Sequence, residues 1–596
     1  MTQQNIASLY LGRRTDFSKQ LEKVRTDIGQ ISTGRLVVAA IFILFIYLSA
    51  SLREFAFLYF LPVLVAVFAI LVKQHSKAFA EKIRLQNLVK INDIELNALK
   101  GTYDGLVTGN EFIDMHHPYA HDLDLFGEGS LFQYANRSNT RDGRKNFANS
   151  LTSHLPDATS INRQQEAIRE LTPRVEFRQG IQAGGMEMTE TAKDRDQIRE
   201  WLRQPSFVYK KGILKFLLTF VPALTVICIA GAFFFPLSKA AALVLVLSQW
   251  AFLGFYVKRI NLFHDYISRK KDILKKYAEL LHILASESFS SPQLQSLVND
   301  AQEASKEVRK LASLVSALDA RLNFMTTVVM NSVLLYDLQF VYRLEKWKEE
   351  HASRLDKWID AISETEVLCS WGTFAFNNPD FAYAKIHKEL TLSATSLGHP
   401  LIQQNERVNN DVFIGKDQRI QIITGANMAG KSTFLRSIGV NLALALAGAP
   451  TCSKEFNCSI IHLRTGMRTA DSLKDHQSYF YAELNRLKSI MDELKQDKPL
   501  LVLLDEILKG TNSNDKLSGS IAMVKQFLPH PCLALIATHD LALGELEKTH
   551  HEAIKNFCFE ANIENDQLFF DYKLKPGLAQ RMNATFLMKK MGIIPG

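Results

Sequence analysis

Four stretches of this 596-residue chain contain no Asp, Glu, Lys or Arg: 36–52, 55–72, 216–235 and 240–257. Each is close to the ~20 residues that a helix needs to cross ~30 Å of hydrocarbon. They fall into two pairs, split only by Arg53-Glu54 and by the run from Pro236 to Lys239. Gaps that short suit tight turns, so the pattern predicts two transmembrane helical hairpins rather than four buried core helices. Basic residues crowd the opposite ends: Arg35 and Lys73 flank the first pair, and Lys210, Lys211, Lys215, Lys258 and Arg259 flank the second. The positive-inside rule makes all these ends cytoplasmic. The expectation is a multi-pass protein of a bacterial inner membrane, with its N-terminus, middle segment and C-terminal domain on one side. The polar lead before residue 36, with Arg13, Arg14, Lys19, Lys23 and Arg25, is long for a secretory leader, so the first run reads as an anchor.

Outside these runs the periodicity changes twice. Residues 78–209 mix short helical patterns with a glycine-rich turn at Phe126-Gly127-Glu128-Gly129. From 260 to about 366, Leu274, Tyr277, Leu280, Leu281 and Leu284 recur at three- and four-residue steps, the spacing of an amphipathic helix. The moderately apolar stretch 324–341 is broken by Asn331, Asp337 and Gln339 and reads as core. From about Thr391, short β-branched runs alternate with helical ones, the texture of an α/β domain. The predicted fold is mainly α with a C-terminal α/β domain. Residues 1–77 form an N-terminal segment with the first hairpin. Residues 78–390 form a helical region interrupted by the second hairpin, and residues 391–596 form the α/β domain.

Composition changes little in this picture. Hydrophobic residues make up 47% and charged residues 22%, which excludes a disordered chain. A net charge of +8 permits contact with phosphate or anionic lipid without demonstrating either. None of the six cysteines has CxxC spacing and no His cluster completes a zinc site, so they read as free thiols in a reducing compartment.

The candidate chemistry lies in the last third. Gly425-Ala426-Asn427-Met428-Ala429-Gly430-Lys431-Ser432-Thr433 matches GxxxxGK[ST], after a mostly apolar strand (420–424) and before a helix from about Lys431 to Leu446. Its backbone amides and helix N-terminus suit phosphates. Lys431 is expected at the β- and γ-phosphates of ATP, with the Ser432 hydroxyl on Mg²⁺. The apolar run 500–504 reads as a buried parallel strand delivering Asp505 and Glu506 at its C-terminal end, where α/β sheets place ligands. Asp505 is then a Mg²⁺ ligand through water, and Glu506 orients or deprotonates the attacking water. A third strand (533–537) ends in Thr538-His539-Asp540, and His539 is a candidate sensor of the γ-phosphate or polarised water.

The string Thr424 to Arg436 closely resembles the P-loop of the MutS family. Gly398-His399-Pro400-Leu401 is similar to that family's lead-in to its ATPase domain, near which the nucleotide base packs. Asp471, Leu473, Ser478, Phe480 and Glu483 match its D-x-L…S-x-F-x-x-E segment. Asp505-Glu506-Ile507, Gly510-Thr511 and Asp515 fit its DEIGxGT…D stretch, and Ala537-Thr538-His539 its ATH. The family offers the serine, here Ser478, to the nucleotide of the opposite subunit, so the resemblance implies a homodimer with composite sites. Gly129-Ser130-Leu131, Arg137, Thr140, Arg141, Gly143 and Arg144 resemble the start of its helical core. The likeness covers roughly 120–210 and 260–596. It departs from the family's mismatch readers upstream, where ~35 polar residues and a hairpin stand in place of a mismatch-recognition domain. Ala426 replaces the usual Pro, Tyr479 the usual Thr, and Leu508-Lys509 the usual Gly-Arg.

With the anchoring that the apolar runs predict, the resemblance implies a membrane-anchored ATPase whose nucleotide cycle drives clamp-like motion of helical arms, with double-stranded DNA as a candidate partner. Arg269, Lys270, Lys271, Lys275 and Lys276 are candidate phosphate contacts or a solvated helix face. Two alternatives stand beside it: an ATP-gated membrane scaffold with no DNA role, and an ABC-type transporter. The second fits less well. Leu517-Ser518-Gly519-Ser520 follows the Asp505-Glu506 strand where an ABC signature precedes it, and the spans lack ionisable residues to mark a substrate path.

Overall fold

The computed structural model describes every residue except 1, 54, 189–190, 192, 233, 269, 469–478, 509–511, 565–566 and 581–596. The first apolar pair belongs to two much longer helices, Gln3–Leu52 and Leu61–Ala98, packed side by side. The polar lead is therefore helical too. Its sparse apolar positions suffice because Leu21 is buried with Leu85, Leu88 and Ile91 across the pair and Ala183 on the core. The turn comes where expected: Arg53 takes a left-handed conformation (φ 52°). Residues Phe55–Phe60, however, form a 3-10 helix, and the α-helix starts only at Leu61, with Pro62 in its first turn. In the second pair, helix Gly212–Gly231 ends four residues short of the predicted 235, and helix Pro236–Ile267 begins four residues before 240. The reason is local: Pro236 at the first helical position is pre-set for helix rather than for the turn that its run was read as.

Between and after the hairpins, helices pack against Tyr336–Asn377, a 42-residue helix that runs the length of the core. The residues resembling a family core start are what tie this region together. Thr140 caps helix Arg141–Thr152 and donates to buried Glu366, which also accepts from the Asn139 and Thr140 amides. Burial pushes the Glu366 carboxyl above its usual range. Arg137 makes a two-pronged ion pair with Glu95 at the base of the first hairpin. Asn377 donates to the same carboxylate and accepts from Tyr10. The hairpin stalk is thus fixed to the core by a fully buried polar network as well as by apolar contact. Leu274, Tyr277, Leu280, Leu281 and Leu284 are all buried on helix Lys271–Ala285. The stretch read as core at 324–341 divides instead: Leu335, Leu338 and Val341 are buried, but helix Phe324–Leu334 turns apolar side chains outward.

The C-terminal domain has a six-stranded sheet in the order 567–576, 554–564, 420–425, 532–538, 500–505, 462–466. All neighbours are parallel except the edge strand Gln567–Pro576. A smaller four-stranded sheet, built around Thr391–Leu397 and Asn410–Gly415, lies beside it. Strands 420–425, 500–505 and 532–538 are buried along almost their whole length, as parallel strands covered on both faces must be.

Candidate functional site

The sheet register brings three sequence signals to one edge. Strand Cys532–Thr538 lies between Ile420–Gly425 and Leu500–Asp505, pairing Thr538 with Thr424 and Ala537 with Asp505. The C-terminal ends of all three strands are therefore level, and the loops that follow share one cavity mouth.

The first of those loops turns through Met428 (φ 67°) and Gly430 (φ 101°) into helix Lys431–Leu446. At Gly425 (φ 150°) a Cβ would meet the Phe559 carbonyl at 2.5 Å, so only glycine fits. The Lys431 side chain folds back over the loop, and its Nζ donates to the Gly425 and Ala426 carbonyls at 2.8 Å each. Burial lowers its pKa, against the pull of Glu506 and Asp505. Ser432 Oγ donates to Asp505 Oδ2 at 2.5 Å. Next to Asp505, Glu506 takes a left-handed backbone (φ 54°) that a non-glycine residue rarely adopts, and its Oε1 meets His539 Nδ1 at 3.0 Å. One turn further, the Leu508 amide donates to Glu483 Oε1 at 2.6 Å, so Glu483 holds the loop that carries Glu506.

A cavity of about 460 Å³ opens beside these groups, lined by Asn427 through Phe434 together with Asp505 and Glu506. His399, Arg407, Phe559 and Tyr572 also line it, with Tyr572 against Gly430 and Phe559 against Phe434. Burial is the main cause that pushes the His399 imidazole down to about 4, with Arg436 adding to it. The site holds hard-oxygen donors that suit a divalent cation, since a hydroxyl and a carboxylate converge and leave other positions to phosphate and water. Among the described residues no three His, Cys, Asp or Glu cluster elsewhere as a metal centre.

Of the predicted site residues, Asn427 to Thr433, Asp505 and Glu506 line this one cavity, Gly425 and Ala426 lie at its rim under the Lys431 amine, and His539 reaches it through Glu506. Ser478 lies outside the described residues, as do Asp471, Leu473, Lys509, Gly510 and Thr511. Sequence reasoning missed Arg407, Phe559 and Tyr572, which arrive from separate elements and carry no local motif. It also missed Asp122. This fully buried carboxylate accepts from Arg486 (2.7 Å), Thr465 Oγ1 (2.7 Å) and the Met467 and Arg468 amides (3.0 and 3.1 Å). It joins the helical core to the strand leading into 469–478. Two of the five candidate phosphate contacts are engaged elsewhere: Lys270 pairs with Asp194 and is buried, and Lys276 pairs with Glu187 and Glu279. Arg269 is outside the described residues.

A parallel sheet whose central strand ends in a phosphate-binding loop, with an acidic strand tip aligned beside it, defines the class as a P-loop nucleotide-binding domain. Residues 421–594 match MutS domain V, the family's ATPase domain. Similar proteins include the DNA mismatch repair protein MutS of Thermotoga sp. (strain RQ2), 28% identical over 303 residues, which are 50% of this chain and 36% of that one. Those of Chloroflexus aurantiacus (28% over 315 residues, 50% and 30%) and Clostridium botulinum (30% over 242 residues, 39% and 26%) are also similar. The chain thus carries a MutS domain V and is similar to MutS proteins over about half of its length. It spans about a third of the length of these relatives.

Proposed function

We propose that this chain is a membrane-anchored ATPase that binds and hydrolyses ATP with Mg²⁺ and uses the cycle to move its helical arms. The observation that carries the reading is the convergence of Lys431, the Ser432–Asp505 contact and the Glu506–His539 pair on one cavity. Ser432 and Asp505 would hold Mg²⁺, which supplies charge neutralisation at the phosphates. The amides of 425–433 and the helix N-terminus cradle the phosphates. The Lys431 amine leaves the loop carbonyls for phosphate oxygens. Glu506 accepts a proton from the attacking water, and His539 holds that carboxylate in place. Aromatic Tyr572 and neutral His399, both lining the cavity, suit contact with a nucleotide base. With Ser478 offered across a dimer, each site would need a second copy to be complete.

Helix length and composition support the anchoring. Among the described residues, four helices are long and apolar enough to cross a membrane. From Tyr10, level with Asn377, the first hairpin reaches residue 36 after about 40 Å. From Asn377 to Gln339, which touches the Leu218 carbonyl, helix Tyr336–Asn377 covers about 55 Å. On this reading both hairpins would sit in one bilayer, with the ATPase domain on its cytoplasmic side at the inner membrane.

Duplex DNA enters as a candidate ligand because the relatives are named DNA mismatch repair proteins. A second reading, an ATP-gated membrane scaffold without a DNA ligand, is favoured by the ion pairs that engage Lys270 and Lys276, and by a long helix whose far end meets apolar spans. Detergent-purified protein should show magnesium-dependent ATPase activity that Lys431→Ala abolishes. Equal turnover by that variant would sink the reading. Duplex binding that weakens steeply with salt selects the DNA branch; salt-independent absence of binding selects the scaffold.

A further inference from the structure

The segment joining helices Pro292–Asp319 and Tyr336–Asn377 is built inside out. On helix Phe324–Leu334, Phe324 is 77% exposed and Met325 67%, and Leu322, Val329 and Met330 are exposed beside them. Two polar residues face inward: Asn331 and, just beyond the helix, Asp337 are each 1% exposed, whereas Asn323 at the start of the segment is exposed. In water this arrangement is doubly unfavourable, since it leaves apolar area wet and desolvates polar groups. Against hydrocarbon it is the favourable one, because a helix satisfies its own backbone and the polar side chains turn away from lipid.

We infer that residues 322–335 form a re-entrant element immersed in the leaflet that faces the ATPase domain, with lipid acyl chains as the partner of its outer face. This rests on the proposal that the hairpins span the bilayer. Three further observations carry it. The helix packs against both members of the second hairpin. Trp250 Nε1 donates to Ser332 Oγ at 2.9 Å, and Trp250 lies about 10 Å inside the predicted cytoplasmic end of its span at 257. The charges that fence the segment, Arg321 and Asp337, pair with each other at 2.9 Å, and Arg321 also reaches Asn261, beyond the end of that span. The entry and exit of the segment are thus held together on the same side. Its 11-residue helix, about 16 Å long, is half of what a crossing needs, so it must return to the face it entered.

The test uses full-length protein in phosphatidylethanolamine–phosphatidylglycerol vesicles. A Cys228→Ser background removes the only cysteine that is not buried. Single cysteines are then introduced by Met325→Cys, Ile227→Cys within the second hairpin and Lys306→Cys on the exposed face of helix Pro292–Asp319, and labelled with an environment-sensitive fluorophore. Labels at 325 and 227 are expected to lose most of their emission to nitroxide-bearing lipids and to ignore aqueous iodide, with the reverse at 306. If 325 follows 306 while 227 follows lipid, the inference falls and the membrane reading stands. If 227 also meets iodide, both fall. Shielding of 325 from both quenchers, the mark of a protein partner such as a second copy, overturns the inference as well.

Discussion

At the residue scale the proposed site assigns binding and turnover to different groups. Lys431 folds over the loop carbonyls, whereas Glu506 meets His539. Glu506→Gln keeps the shape and removes only the basic oxygen. It should lower turnover by about 10²–10⁴ and leave magnesium-dependent ATP affinity unchanged, as read by nucleotide titration beside a phosphate-release assay. Parallel loss of affinity would place Glu506 in binding instead. His399 makes a pH argument. Its folded-state pKa of about 4 lies below the ordinary imidazole value near 6.5, so the unfolded chain binds the extra proton between them. Stability is therefore full above about pH 6.5 and falls as pH drops toward 4, by at most about 3 kcal/mol from this group. His399→Gln should flatten that part of a urea-midpoint-against-pH profile. An unchanged slope would assign the acid sensitivity elsewhere.

At the element scale, what matters is how loops from distant parts of the chain are held. Asp122 holds the turn after strand His462–Gly466 with four hydrogen bonds, one of them from Arg486 on helix Tyr479–Leu494. Removing one member of a buried charged pair leaves the other unpaired, so Asp122→Ala should destabilise the folded protein by about 3–5 kcal/mol. Asp122→Asn, which keeps the shape and one acceptor oxygen, should cost less. Urea unfolding of the detergent-solubilised variants, followed by tryptophan fluorescence, checks both; equal losses would remove charge from the explanation. This is also the scale at which legibility in the sequence stops. The phosphate loop and the Asp505-Glu506 strand were readable because each chemistry is carried by contiguous residues with a local apolar run before it. Asp122, Arg407 and Tyr572 act through partners hundreds of residues away or on another strand, and no spacing rule encodes that. The limits of the apolar runs mark a change in composition, not helix ends, so the continuation of the first hairpin to Gln3 and Ala98 carries no sequence signal. The reading of 324–341 as core fails over helix Phe324–Leu334, because its apolar residues face outward while Asn331 and Asp337 face inward.

At the scale of the whole molecule, the nucleotide cavity and the base of the first hairpin share a wall. The loop between strands Thr391–Leu397 and Asn410–Gly415 contributes Ile402 and Arg407 both to the nucleotide cavity and to a second cavity of about 490 Å³ bordered by Gln3, Ala98, Leu99, Asn377 and Asn378. In the same loop Gln403 Nε2 donates to the Lys100 carbonyl at 2.7 Å, just past helix Leu61–Ala98. A change in this loop on nucleotide binding would therefore reach the stalk directly, while helix Tyr336–Asn377 reaches the second hairpin from the same end. For such leverage to act on a bilayer, both hairpin turns must emerge on the face opposite the ATPase domain. Arg53→Cys and Leu237→Cys place thiols at those turns, and Lys306→Cys places one on the ATPase side. An impermeant maleimide added to spheroplasts should modify 53 and 237 at once and 306 only after permeabilisation. Labelling of 53 and 306 together in intact spheroplasts would break the shared topology, and with it the argument that one nucleotide cycle pulls on two anchors in a single membrane.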